Sequence, residues 1–214
     1  MLNIAGLLSR RVFGLKTIEV FQHIITCFSC EDKLYYDNEA INLGVKIIFD
    51  MPEVKDRDRG QEWDSQFGYG ETTELKPNLG PVNLVGSEKL TKWILSKGKE
   101  VLGKDVKITK SWMNMMEYNS QGRCHNHLGY ADGESNESPD LVAIFYPNNP
   151  TNGSDLVIIK DGQAGKLYTE FKDTFHISPK PGDLILHSPD IWHAVSVHKS
   201  HEPRLCFVYH IKKL

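Results

Sequence analysis

The hydrophobic pattern of this chain changes period at Val106, and that change limits the fold more than any other feature. Upstream, apolar residues recur at helical spacing. Downstream they alternate, and no convincing helix follows. The alternating segments are short: 106–118, 123–127, 141–146, 155–159, 171–177, 183–187, 194–197 and 205–211. Turn-forming residues separate them, at Asn119-Ser-Gln-Gly, from Pro147 to Gly153, at Lys160-Asp-Gly and at Pro179-Lys-Pro-Gly-Asp. About eight short strands punctuated in this way predict a sandwich or barrel of jelly-roll type.

The first half reads as support for that core. Residues 17–28 (TIEVFQHIITCF) are β-branched and aromatic, which predicts a strand, with His23 structural within it. Residues 37–50 have helical spacing, with Ile41, Val45, Ile48 and Phe49 on one face and Asn38 or Asp37 as cap. Residues 87–102 give the clearest helix. Leu90, Trp93, Ile94, Val101 and Leu102 form its apolar side, and Gly103 ends it. Residues 51–81 are polar and broken by Gly and Pro, so they read as a long excursion whose mixed-sign run 55–59 is a solvated face. Residues 1–16 carry Arg10, Arg11 and Lys16 but no acid. They read as a short helix packed on the domain, with an amphipathic arm or transit-like segment as the other reading. The predicted fold class is therefore α+β, mainly β. It is one domain over 1–214, with flanking helices in 1–104 and the jelly-roll core in 105–214.

Composition narrows the function classes. A net charge of −3 provides no general attraction to nucleic acid. No apolar run approaches the ~18–20 residues of a membrane span, so a cytoplasmic protein is expected. Cys27-Phe-Ser-Cys30 has C-x-x-C spacing but no second pair to complete a zinc site. The cysteines are expected to be ordinary reduced thiols of an intracellular protein.

The chemistry lies in the histidines. On a strand, His125 and His127 turn to one face, where both can reach one ion. His193 follows the turn at Ser188-Pro-Asp, and Arg204 comes later, sharing a strand face with Cys206, Val208 and His210. An inward Arg is costly unless an anion meets it, and a guanidinium grips a carboxylate with two parallel hydrogen bonds. Imidazole suits iron, zinc, copper and nickel alike, so residue types alone do not choose the metal. His187, His198, His201 and His210 are read as structural. Of these, His187 lies near the site, His210 shares Arg204's face, and His198 and His201 sit in a solvated turn.

Trp112-x-Asn114, Gly122, His125-x-His127, Ile144-Phe-Tyr146, Gly153, Pro181-x-Gly-Asp, His193-x-Val and Arg204 occur in this order over residues 105–212. Together they resemble the iron(II)/2-oxoglutarate-dependent oxygenases, and among these the small phage and bacterial members. The resemblance implies a double-stranded β-helix, Fe(II), 2-oxoglutarate as cosubstrate with O2, and oxidation of a substrate, either a small molecule or a protein side chain. It implies His125, His127 and His193 at the metal. It places Arg204 on the distal carboxylate of 2-oxoglutarate, with Asn114 and Tyr146 as further contacts. A phage-infected host cell is then one setting, and self-association stays open. His127 departs from the family pattern, standing where a carboxylate is usual. Three arrangements follow: all three histidines bind, the carboxylate comes from Asp132 or Glu134, or His127 binds with His125 behind it. Outside the family, a cupin-type three-histidine protein that does not use 2-oxoglutarate, or a non-catalytic jelly-roll binding module, fits the same barrel.

Overall fold

A computed structural model describes residues 10–12, 15–51, 71–73, 77–128 and 138–214. Strands β1 (Arg10–Val12), β2 (Leu15–Val20), β3 (His23–Ser29) and β4 (Glu71–Thr72) accompany helices α1 (Glu39–Asp50) and α2 (Glu88–Leu102). Then come β5 (Val106–Met116), β6 (Gly122–His125), β7 (Leu141–Phe145), β8 (Leu156–Ile159), β9 (Thr174–Ile177), β10 (Asp183–His187), β11 (His193–Val195) and β12 (Arg204–Lys213). They form two antiparallel sheets. The large one runs β1-β2-β3-β10-β7-β12-β5-β4 and the small one β6-β11-β8-β9. The α+β arrangement dominated by two such sheets resembles a jelly roll.

Alternation in β12 builds the two sides of the large sheet. Phe207, Tyr209 and Ile211 point outward and join Met113 and Phe145. There they meet Ile41 and Phe49 of α1 and Leu90 and Ile94 of α2. Cys206 and Val208 point inward, with Trp112, Ile144, Tyr146 and Ile185, against Leu156 and Ile158 of the small sheet. Each fully buried side chain of this size is worth roughly 1.5–3 kcal/mol relative to exposure. The far side of the small sheet is covered too. Cys124, Val157, Ile159 and Ala194 pack beneath Tyr168, Phe171 and Trp192. That is why β8 is buried along its whole length and reads as a continuous apolar run.

Both predicted helices form. Asn38 caps α1, its side chain accepting from the Ile41 N–H at 3.0 Å. Gly103 ends α2 in the left-handed region at φ 67°, its N–H donating to the Lys99 carbonyl. The turn before β10 depends on Gly182, at φ 88°. A Cβ there would come within 2.8 Å of the Tyr36 hydroxyl.

Two expectations are corrected. Residues 17–28 are not one strand. The chain reverses at Phe21 and Gln22, both with positive φ, so that β2 and β3 form a hairpin. A two-residue turn with positive φ at both positions matches the right-handed twist of the flanking strands, and here that overrides the dislike of Phe for this region. Residues 10–12 are not helical either. They pair with β2 as β1. The rest of the 1–16 arm, apart from 15–16, and most of the 51–81 excursion lie outside the described residues. Cys27 and Cys30 lie three apart on extended chain and join opposite sides of the large sheet. All four cysteines are free, and burial pushes the Cys27 thiol up to about 11. No helix among the described residues is long and apolar enough to cross a membrane.

Candidate metal centre

The small sheet lines up two histidines by register. His125 ends β6 and pairs with His193, the first residue of β11, which in turn pairs with Ile158. The predicted strand 123–127 stops at His125, so the ladder does not carry His127. Instead the turn after β10 holds it: the His127 N–H donates to the Pro189 carbonyl at 2.8 Å. The side chains of His125, His127 and His193 nevertheless converge, with one ring nitrogen from each within 4.8 Å of the others.

Hydrogen bonds select which nitrogen each ring presents. The Nδ1 of His125 lies 2.9 Å from the Arg123 carbonyl, and that of His193 lies 3.1 Å from the Ile191 carbonyl. A carbonyl only accepts, so both Nδ1 atoms carry a proton, and in the neutral rings both Nε2 atoms are bare. The Nδ1 of His127 lies 2.8 Å from Nε2 of His210. With Nδ1–H donating there, His127 also presents a bare Nε2. This is the arrangement of metal-binding histidines, in which the second nitrogen is anchored and the ring thereby aimed.

The Nε2 atoms of His127 and His193 stand 3.4 Å apart. Two lone pairs at that distance repel unless a proton or a cation lies between them. Burial, then the neighbouring His193, His125, His187 and His210, push His127 well below the ordinary histidine range. Burial, with His125 and His187, does the same to His193. The cationic forms are therefore disfavoured, and with His127 protonated on Nδ1 and His193 on Nδ1 a metal ion suits the gap. Two donors on one ion, each about 2.1 Å away, stand roughly 3–3.4 Å apart, and the observed separation fits that span.

Trp112 walls the site on one side, its ring 5.0 Å from that of His210 and 5.8 Å from that of His127. The sequence reading left His210 as structural. Its period-two relation to Arg204 was the signal that it faces inward, and the cross-sheet contact with His127 gives it a task. His187 likewise ends β10 beside the cluster, its ring 4.9 Å from that of His193. His198 corrects the expectation of a solvated turn. It is fully buried, and its Nε2 donates to the Glu202 carbonyl at 2.8 Å. His201 is exposed and stacks on Tyr118. Asp132 and Glu134 lie outside the described residues.

Arg204 opens β12 on the same inner face and is 1% exposed. Its guanidinium carbon sits 4.8 Å from the centroid of the Tyr146 ring, a cation–π contact. Yet Nε and Nη1 of Arg204 have no hydrogen-bond partner, and no carboxylate pairs with it among the described residues. The buried Tyr146 hydroxyl also lacks a partner, and burial pushes its pKa well up, Arg204 offsetting part of the rise. A buried cation beside an unsatisfied hydroxyl describes a place for an anion that hydrogen-bonds both. Asn114 lies across the ladder from Cys206, two residues from Arg204. Its side-chain nitrogen is 3.8 Å from the Cys206 sulfur, so it faces inward without touching the guanidinium.

No protein-family model and no curated protein matches this chain. Solved structures do. A non-haem α-ketoglutarate-dependent carbocyclase, SnoK from nogalamycin biosynthesis, aligns over 80% of this chain and 76% of its own, at 11% identity and TM-score 0.53. HygX from Streptomyces hygroscopicus, solved with nickel, 2-oxoglutarate and hygromycin B, aligns over 88% of this chain and 82% of its own, at 13% identity and TM-score 0.53. A 2OG-Fe(II) oxygenase family oxidoreductase from Burkholderia pseudomallei aligns over 61% of this chain, at 16% identity and TM-score 0.46. This chain spans 59% of that protein's length. Where these neighbours carry an organism it is bacterial, and nothing among them supports the phage side of the resemblance. The likeness is one of fold: the chain is built like the iron/2-oxoglutarate oxygenases and carries a three-histidine cluster between its sheets.

Proposed function

We propose that this protein is a metal-dependent oxidoreductase in which His125, His127 and His193 hold one ion and Arg204 binds the carboxylate of an organic ligand beside it. One observation carries the reading: Arg204 is buried and charged, with Nε and Nη1 unpartnered and no carboxylate beside it among the described residues. A protein retains such a group at a cost of several kcal/mol unless a ligand neutralises it. Tyr146 supplies a hydroxyl at the same place, and its ring helps hold the guanidinium plane.

The ligand at Arg204 separates two forms of this function. In the first it is 2-oxoglutarate, and the chain is an Fe(II)-dependent dioxygenase that releases succinate and CO2. Bound iron with this cosubstrate supplies the activation of O2. The chain's own residues bind and orient. Three imidazoles on one side leave the opposite side for ligands, Arg204 fixes the far end of a dicarboxylate, and Trp112 with the aliphatic inner face keeps water out. In the second form 2-oxoglutarate is not used, and the anion at Arg204 is the substrate itself, as in a cupin-type three-histidine enzyme. The donor set, three histidines with no carboxylate in the group among the described residues, matches this second form. Three neutral imidazoles leave the full ionic charge on the metal, where the usual carboxylate would have reduced it.

Calorimetry of the iron(II)- or zinc-loaded protein with 2-oxoglutarate separates them. The first form predicts saturable binding and a loss of at least about 30-fold in Arg204→Ala, the cost of a buried charged contact of roughly 2 kcal/mol or more. No binding of 2-oxoglutarate by fully metal-loaded protein establishes the second.

A further inference from the structure

His187 is a further buried histidine beside the centre, and like His125 and His193 it turns Nδ1 to a backbone carbonyl. It ends β10 at 1% exposure, and its Nδ1–H donates to the Ser188 carbonyl at 2.8 Å. Nε2 is therefore a bare acceptor. That atom is buried and has no hydrogen-bond partner among the described residues. The ring lies 4.9 Å from that of His193 and 6.1 Å from that of His127, yet His187 stands outside the three-nitrogen cluster.

An orphaned buried acceptor is costly and calls for a donor. His198 also leaves one ring nitrogen without a partner, and what sets His187 apart is its place against the His193 ring. The neighbouring rings offer no donor. His125 and His193 present lone pairs, for the reasons their Nδ1 contacts give, and His127 does so when its Nδ1–H serves His210. Nε2 of His187 has no donor among the described residues, and a cation supplies one by polarising the O–H of any water it holds.

We infer that His187 accepts a hydrogen bond from a proton-bearing ligand of the ion, water in the resting protein, and so favours such ligands over anions that carry no proton. The inference rests on the metal-centre reading above. His187 is a positioning residue in this role, acting on the exogenous ligand and not on the ion.

The test uses the full chain loaded with cobalt(II), whose visible spectrum reports its ligands, and sodium azide as an anion without a proton. Wild type should hold one cobalt per chain and bind azide weakly. His187→Phe should keep the cobalt and bind azide roughly tenfold more tightly, the equivalent of one net hydrogen bond removed from the competing water. His187→Gln, whose amide oxygen accepts, should return towards wild type. If the Phe variant does not fold, His187→Leu takes its place. Equal azide affinity in all variants with full cobalt content overturns the role of His187 and leaves the metal centre standing. Loss of cobalt from a folded His187→Phe protein overturns it differently, by making His187 a ligand. Absence of cobalt from wild type removes the metal centre and this inference together.

Discussion

The two sides of β12 come from one run of ten residues and follow opposite rules. Outward, Phe207, Tyr209 and Ile211 meet helices α1 and α2 in an apolar layer where aromatic edges meet faces, as between Tyr36 and Phe145 at 5.2 Å. Inward, the same strand buries Arg204 and His210, β10 of the same sheet adds His187, and the layer opposite contributes His193 and, from the chain just after β6, His127. The outer side stabilises the fold. The inner side spends stability: among the described residues, two guanidinium nitrogens of Arg204, Nε2 of His187 and the Tyr146 hydroxyl are buried without a hydrogen-bond partner. Tyr209 shows that the outer side is not free of such atoms, since its hydroxyl also lacks a partner. The difference is one of charge and concentration. Local rules of stability are broken together where a ligand is to bind.

Substitutions on the two sides should therefore diverge. Phe207→Ala empties a fully buried position and should cost about 3–5 kcal/mol by denaturant unfolding, with metal content per folded molecule unchanged. Arg204→Met, three positions away, should leave the stability of the metal-free protein unchanged or higher, because it removes a buried charge without a partner. A loss of stability in Arg204→Met as large as that in Phe207→Ala would erase the contrast.

The inner side should also carry the acid sensitivity. Burial lowers His187 from 6.5 to about 4. As pH falls, the unfolded chain takes up that proton first. Its contribution is thus complete above about 6.5 and is lost between there and 4. For His187 alone the loss comes to about 3 kcal/mol in metal-free protein. Unfolding of wild type and His187→Phe at several pH values measures it. The variant should lose less stability over that interval, and parallel curves would contradict the assignment.

Asn114 should mark the edge of the anion site. It lies opposite Cys206, two residues along β12 from Arg204, and its side-chain hydrogen bond is to the Cys206 sulfur. Asn114→Ala should weaken 2-oxoglutarate, or another carboxylate held at Arg204, by only a few-fold, in keeping with one neutral hydrogen bond of about 1 kcal/mol. An effect as large as that of Arg204→Ala would place Asn114 at the centre of the pocket.

The elements that the sequence announces are those with local causes. Helices α1 and α2 and strands β5 to β12 follow from period and from turn residues, and Asn38, Gly103 and Gly182 act through their own backbone. The β2–β3 hairpin was hidden because Phe21-Gln22 lacks the Asn-Gly or Gly-containing signature of its turn type. The pairing of His125 with His127 was suggested by spacing and His193 by the family resemblance, although His127 reaches the cluster from beyond the end of β6 and not from the strand that the spacing assumed. The anchoring of His127 by His210, and the orphaned nitrogen of His187, were not legible. Each depends on which strand lies opposite, a property of register between distant segments that no local pattern encodes.

The central claim is that the inner side is a metal centre of three imidazoles, and metal content tests it most directly. Protein loaded with iron(II) or zinc and freed of excess should carry one ion per chain. His127→Ala should hold much less. His127→Asp should hold close to the wild-type amount, since a carboxylate is a competent ligand in that place. Asp132→Ala and Glu134→Ala should match wild type. Full occupancy in His127→Ala, with loss in either carboxylate variant, would contradict the account and put a carboxylate in the place it gives to His127.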